Sequence, residues 1–281
     1  MKFIRRLKRS MGTLKHLVKY SLKNMFCKED GVYKSNEPKE TVISLTSYNK
    51  RIKTVFFAIE SIMDQSDKAD RVILWLSNQD ITQDRLPNSL KRLQSRGLEI
   101  YFVDENIKSY KKLIYTLEKS PHSDIITVDD DIFYPNDFIA ELKSNSKKFP
   151  DCVIANRAKK MTFKNDNELD AYLNWSDADE FKPSLHTFPT GMGGVLYPPE
   201  SLSQEVFNTK EFTELAPNAD DVWFKAMTLL NNTDVVFIPT DMSKFYSVPQ
   251  IKRESLFKKN KFENDIQIKA VFDKYDLYNK F

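Results

Sequence analysis

Residues 124–135 read DIITVDDDIFYP, an apolar run that leads directly into Asp129, Asp130 and Asp131. The length of the apolar run is typical of a buried strand, so we predict a strand over 124–129. Three adjacent carboxylates at the end of a buried strand repel one another and lose hydration. A divalent cation, Mg²⁺ or Mn²⁺, is the simplest compensation, and Asp129 and Asp131 would face the same way on an extended segment. The alternative is a solvated acidic turn that caps a helix over 136–147.

The sequence upstream of this run repeats the alternation of strand and helix. Further strands are predicted over 41–46 (TVISLT), 71–77 (RVILWLS) and 98–103 (LEIYFV), with helical stretches between them. Strands that alternate with helices of about ten residues indicate an α/β fold with a mostly parallel central sheet flanked by helices. Ligands of open parallel sheets bind beyond the carboxyl ends of the strands. We therefore expect the chemistry in the loops after residues 46, 77, 103 and 129.

Composition narrows the classes of protein that fit this chain. Its 281 residues suit one large domain, and no stretch approaches the roughly 20 apolar residues of a membrane span. Only six glycines occur, too few to place a dinucleotide fingerprint or a glycine-rich phosphate loop. Two distant cysteines, Cys27 and Cys152, and the lack of a secretory signal favour a reducing compartment, the cytoplasm.

Charge is concentrated at the N-terminus. Residues 1–28 hold nine of the 43 Lys and Arg and no acid, which leaves 34 basic against 40 acidic side chains in the rest. A mildly acidic body is a poor binder of nucleic acid, so we expect no nucleic-acid partner. Apolar residues at helical spacing form one stripe among the basic ones: Ile4, Leu7, Met11, Leu14, Val18 and Leu22. This pattern favours an interfacial helix on an anionic membrane, with a helix docked on the body or a transit peptide as alternatives.

Two motifs in the second half of the chain are also candidates for a functional site. Three of the six glycines lie within residues 190–194 (TGMGG), where the backbone must pass close to something or take a positive φ. Residues 219–224 (ADDVWF) place Asp220 and Asp221 at a predicted helix start. Aspartates often cap helices, but two adjacent acids beside an apolar run also fit an acid–base site.

The segments VISLTSYNKRI, SYKKL, IITVDDDIFYP, TGMGG and ADDVWF, in this order, resemble a GT-A glycosyltransferase, similar to the bacterial family 2-like enzymes that build capsule or lipopolysaccharide sugars. The resemblance covers roughly residues 41–240. It implies a GT-A fold and transfer of a sugar, of the hexosyltransferase type, from a nucleotide-diphosphate donor, with a UDP-sugar favoured. The implied acceptor is a glycan or glycolipid.

The resemblance also implies roles for particular residues. Its D-x-D motif corresponds to Asp129, Asp130 and Asp131, of which Asp129 and Asp131 would bind the metal. The nucleoside would contact the loop after the first strand, and the diphosphate a lysine at the start of a helix, with Lys111 favoured over Lys112. Asp221 would be the base of an inverting reaction, supported by Asp220. The residues implied at the donor site are Thr46, Ser47, Tyr48, Arg51, Lys111, Lys112, Asp129, Asp130, Gly193 and Gly194.

Two departures from the family pattern concern the nucleotide. Leu76-Ser77-Asn78 stands where many members carry an aspartate after the second strand, and Tyr110-Lys111-Lys112 replaces the usual Ala-Arg-Asn turn. The identity of the base is therefore left open.

The expected organisation is a basic amphipathic helix (1–27), a linker (28–40), a catalytic domain (41–250) and a C-terminal helical tail (251–281). We expect the protein on the inner face of the cell membrane. Two rival functions are a haloacid-dehalogenase-like phosphatase, which also uses an Asp-x-Asp, and a non-catalytic membrane-associated assembly protein. The phosphatase motif is poorly matched, because Ile132 and Phe133 follow the aspartates.

Overall fold

A computed structural model describes residues 2–166, 168–249 and 256–281; the side chains of residues 2–6, 8 and 256–262 lie outside this description. The helices are α1 (Lys2–Phe26), α2 (Val55–Met63), α3 (Asn88–Gln94), α4 (Lys111–Lys119), α5 (Phe138–Lys148), α6 (Thr209–Leu215), α7 (Asp220–Leu230) and α8 (Leu256–Tyr275). The strands are β1 (Thr41–Thr46), β2 (Arg71–Ser77), β3 (Leu98–Val103), β4 (Asp124–Thr127), β5 (Ile132–Phe133), β6 (Val153–Ala155), β7 (Ala158–Lys160), β8 (Phe163–Asn165), β9 (Glu168–Leu169), β10 (Thr187–Pro189), β11 (Val195–Tyr197), β12 (Val235–Phe237) and β13 (Tyr246–Ser247).

Seven strands form the central sheet in the order β12-β6-β11-β4-β1-β2-β3. All neighbours pair in parallel except around β11, which runs antiparallel to both β4 and β6. Strands β1 and β2 are buried along almost their whole length, because helices cover both faces of the sheet. One apolar core lies under α4, α7 and α8, and a second under α2, α3 and α5.

The predicted fold class is confirmed: an α/β protein with a mostly parallel central sheet, flanking helices and an N-terminal amphipathic helix. The first three predicted strands have the predicted bounds, since each is a short run rich in apolar, β-branched or aromatic residues. The fourth strand ends at Thr127, two residues earlier than predicted, because the backbone turns before the aspartates.

Helix α1 lies on the body beside α2, α3 and β13. Its inward residues recur every four positions, at Gly12, His16, Tyr20 and Asn24, which places them on one face. The Asn24 amide donates to the Glu60 carboxylate, which is fully buried and paired with Arg96. In the described part of the chain no helix is long and apolar enough to cross a bilayer.

Candidate functional site

The three aspartates lie where predicted, just beyond the carboxyl end of β4 and next to the end of β1. The Val128 amide still donates to the Ser44 carbonyl (3.0 Å), so the ladder between β1 and β4 continues to this residue. The Asp129 amide instead donates to the Tyr134 hydroxyl at 2.8 Å. That bond turns the chain away from the sheet and directs successive carboxylates to different neighbours.

Asp130 is held inside the protein. The Ser47 hydroxyl and the Arg51 guanidinium each donate to its carboxylate at 2.6 Å, and 6% of its side chain is exposed. Burial raises the pKa of Asp130, and the charge of Arg51 opposes that rise. Arg51 also reaches the Asp131 carboxylate at 3.1 Å. Ser47 and Arg51, two predicted donor contacts, therefore fasten the β1 loop to the aspartate loop.

A single lysine joins the aspartate loop to the start of α7. The Lys112 ammonium lies 3.2 Å from an Asp129 oxygen and 3.1 Å from an Asp220 oxygen, and 7% of its side chain is exposed. These carboxylates and Asp221 raise the pKa of Lys112 well above its ordinary value, although burial acts in the opposite direction. Two motifs about 90 residues apart in sequence thus converge on one cation.

Asp221 completes the cluster. Its carboxylate accepts a hydrogen bond from the Gly191 amide at 3.1 Å. Burial, followed by the neighbouring Asp220 charge, raises the pKa of Asp221 to about 7. A methyl group on Gly191 would lie 3.3 Å from Asp221 and from Lys112, and 3.5 Å from Asp129. Gly191 therefore lines the point where the three side chains meet.

Gly193 and Gly194 are placed against the body instead. A methyl group on Gly193 would lie 2.9 Å from the Arg157 side chain, and one on Gly194 would lie 2.5 Å from the Phe138 ring. Gly194 also has a φ of +81°. Close approach and positive φ, the two reasons predicted for clustered glycines, both occur, but the glycine beside the carboxylates is Gly191.

The remaining predicted donor residues line the neighbouring strand ends. The Thr46 hydroxyl donates to the Trp75 carbonyl at 2.8 Å, and the Tyr48 ring lies 5.4 Å from the Arg51 guanidinium carbon. Lys111 points away from the aspartates, with its ammonium on the Asn106 side-chain oxygen. Burial lowers the pKa of Lys111 to about 8. Of the two lysines, Lys112 and not Lys111 meets the aspartate loop.

Asp129 and Asp131 have the oxygen ligands that a hard divalent cation prefers, although in this structure they pair with different side chains, Lys112 and Arg51. Asp129 and Asp131 keep 33% and 31% of their side chains exposed, and both offer carboxylate oxygens. Within residues 2–166, 168–249 and 256–281 no group of three or more His, Cys, Asp or Glu is arranged to hold a metal. Mg²⁺ and related ions commonly use one or two carboxylates and complete their shell with water and substrate phosphates. Three carboxylates around one lysine also leave negative charge that such an ion would balance.

Tyr172 is near enough to Asp221 to be affected by its charge, and sequence reasoning did not single it out. It lies in the 3-10 turn Tyr172–Asn174, and the charge of Asp221 adds to burial in raising its pKa to about 12. The adjacent Leu173 is 49% exposed. The surrounding segment is polar and has short, irregular strands, so no periodic pattern in the sequence points to this turn.

No protein-family model matches the sequence, and comparison with curated proteins finds no match. Among solved structures, the mannosyltransferase PcManGT from Pyrobaculum calidifontis, in complex with GDP-Man and Mn²⁺, is 13% identical, with 92% of this chain and 71% of that chain covered and a TM-score of 0.49. A CMP:2-keto-3-deoxy-manno-octonic acid synthetase complexed with CTP is 11% identical, with 80% of this chain and 97% of that chain covered and a TM-score of 0.44. At these identities and scores, neither likeness decides the function of this chain.

Proposed function

We propose that this protein is a metal-dependent, inverting glycosyltransferase of the hexosyltransferase type that uses a nucleotide-diphosphate sugar. The observation that carries the proposal is the convergence of Asp129, Asp220 and Asp221 around Lys112 at the carboxyl edge of the sheet. Two separate acidic motifs, one for the metal and donor and one for the acceptor, suit a metal-assisted transfer in which a carboxylate acts as the base.

Asp221 is the proposed base. In the proposed reaction its carboxylate takes the proton of the acceptor hydroxyl while the hydroxyl oxygen bonds to the anomeric carbon. The bond from that carbon to the diphosphate oxygen breaks, and the nucleoside diphosphate leaves with the electron pair. A general base works best when its pKa is close to the operating pH, and that of Asp221 is raised to about 7. The Gly191 amide fixes the orientation of the carboxylate.

Asp129 and Asp131 are the residues that would hold the Mg²⁺ or Mn²⁺ ion. When bound, such an ion supplies positive charge to the departing diphosphate. Lys112 neutralises part of the Asp129 charge, and Arg51 holds the neighbouring Asp130 in place. The nucleoside would lie over the ends of β1 and β2, beside Thr46 and Tyr48. UDP is the first nucleotide to test, followed by GDP and CDP.

The proposed acceptor is a glycan or glycolipid in the synthesis of a capsule or lipopolysaccharide. It would approach Asp221 past Tyr172 and the exposed Leu173, which offer the mixed polar and apolar surface that sugar rings use. We place the enzyme at the inner face of the cell membrane, because the helix Lys2–Phe26 is basic and the body is acidic.

The test is release of nucleoside diphosphate from a panel of nucleotide sugars, with Mn²⁺ and a membrane-lipid extract as the acceptor source. We expect one donor to be consumed, with its sugar recovered on a lipid-extractable product. Asp221→Asn should abolish that product, whereas Asp177→Asn, on an 85% exposed side chain, should not. Release of inorganic phosphate from sugar phosphates, with no transfer from any donor, would instead support the phosphatase.

A further inference from the structure

The predicted membrane helix turns out to be docked on the body with its apolar stripe facing outward. The described stripe residues are each about half exposed or more: Leu7 (51%), Met11 (63%), Leu14 (62%), Val18 (53%) and Leu22 (49%). Met25 (54%) extends the stripe, and the side chain of Ile4 lies outside the described residues. At about 1.5 Å per residue, the stripe from Leu7 to Met25 spans roughly 27 Å of helix. A monomeric soluble protein rarely leaves a contiguous apolar surface of this length uncovered.

A different face of the same helix holds it to the protein. The His16 ring stacks on Phe133 at 5.2 Å, and the Tyr20 ring does so at 5.6 Å. A methyl group on Gly12 would lie 2.4 Å from the Tyr246 ring, so the helix backbone is close to β13. The outward stripe is therefore not needed for the docking of α1.

The charge of the helix favours one occupant for the stripe. Helix α1 carries Lys and Arg around the stripe and no Asp or Glu. A second copy would bring the same positive charges together, whereas paired helices usually place opposite charges beside their apolar seam. An anionic lipid surface supplies the opposite charge and an apolar layer of the right depth.

We infer that the outward stripe of α1 is a docking face for an anionic lipid surface, and that the helix binds lipid while it stays packed on the body. The inference deepens the proposed membrane location but does not depend on the transfer reaction. Phe133, which contacts α1, follows Asp131 by two residues, and the Val248 amide next to β13 donates to the Asp131 carbonyl at 2.8 Å. Lipid binding would thus hold the aspartate loop at a fixed distance from the membrane.

The test is co-sedimentation of the full chain with phosphatidylcholine vesicles, with and without phosphatidylglycerol. The wild type should sediment only with the anionic vesicles, and less so at high salt. Replacing Leu14 and Val18 by serine should weaken partitioning at least about tenfold, because two apolar side chains no longer enter the lipid. The matched control is Ile266→Ser, on a 71% exposed apolar residue of α8, which should bind like the wild type.

Hydrogen exchange on the vesicles tests the second half of the inference. Amides of α1 and of β5 should keep their protection when lipid binds, and loss of protection at Phe133 would show that the helix leaves the body. If the Leu14/Val18 variant sediments with anionic vesicles as well as the wild type does, the inference that the stripe binds lipid is wrong. A wild-type dimer that this variant dissociates, without vesicle binding, would assign the stripe to a second copy. Nucleotide binding by the same variant is measured separately, and it shows whether the proposed donor site is intact.

Discussion

The role proposed for Asp221 depends on its protonation state near neutral pH. With a pKa of about 7, the carboxylate is protonated below that pH and ionised above it. The rate of transfer should therefore rise through pH 7 to a plateau. Asp221→Asn should lower the plateau rate about 10²- to 10⁴-fold and remove the rise through pH 7, as loss of a general base does. A pH–rate profile checks this, and a profile flat between pH 6 and 8 would count against Asp221 as the base.

The ionised Asp221 carboxylate should destabilise the folded state. Its pKa is raised on folding, so the folded state binds the proton more tightly and loses stability as pH rises from about 4 to 7. Asp221→Asn removes that loss. We expect the variant to gain in thermal midpoint over the wild type across this range and to keep a constant advantage above pH 7. A midpoint advantage that shrinks as pH rises would contradict the raised pKa.

Lys112 and Lys111 form a natural pair for substitution, because they are adjacent but contact different groups. Lys112→Met leaves Asp129, Asp220 and Asp221 without their shared cation, which should destabilise the fold by about 3 kcal/mol. Mn²⁺ should restore part of that loss by supplying positive charge. Lys111→Met, whose ammonium contacts Asn106, should show no such rescue. Thermal unfolding with and without Mn²⁺ measures both variants, and equal rescue would refute the assignment of Lys112.

The sequence alone could not predict which of these two lysines faces the aspartate loop. Neighbouring residues on a helix point about 100° apart, so the lysine that faces the sheet edge depends on how α4 is rotated on the sheet. The structure shows this rotation: Thr116, four residues after Lys112, is buried and hydrogen-bonded to Ser44 and Trp75. A buried polar residue one turn away marks the inward face. The aspartates needed no such information, because they follow a strand whose position was predicted.

At the scale of elements, two glycines of the loop 190–194 have different roles, Gly191 in ligand binding and Gly194 in folding. Gly191→Ala should fold nearly as well as the wild type, because its φ is not in the left-handed region, but the methyl group enters the space between Asp221, Lys112 and Asp129. Donor binding should then fall at least about tenfold. Gly194→Ala should instead lose about 2 kcal/mol or more, from its φ of +81° and the Phe138 ring. Binding and unfolding measurements on the two variants should give opposite patterns, and matched patterns would contradict this division.

Strands β1, β2 and β3 could be predicted because each is a short run rich in apolar, β-branched or aromatic residues. The region around β7, β8, β9 and β10 could not, since its strands have two or three residues and pair outside the main sheet. Short strands carry little periodic signal. Within the C-terminal helical tail predicted over 251–281, the structure describes a helix over Leu256–Tyr275.

At the scale of the whole molecule, the structure joins an apolar, basic helix to an acidic site. Helix α1 packs on β5 and β13, and β5 directly follows the aspartate loop. The sequence predicted the helix and its stripe but left open whether that stripe faced the body or a membrane. The structure shows that a different face packs on the body, formed by Gly12, His16, Tyr20 and Asn24. This face has too few apolar residues to be recognised in the sequence pattern.

The central claim is that the aspartate loop, Asp129 to Asp131, binds a nucleotide diphosphate together with a divalent cation beside Lys112. The most direct measurement is calorimetric titration of the purified protein with UDP, GDP, CDP and ADP, with and without Mn²⁺. We expect one of them to bind only when Mn²⁺ is present, and Asp129→Asn to lose that binding while its thermal unfolding stays cooperative. Metal-independent binding, or binding that survives in Asp129→Asn, would contradict the claim.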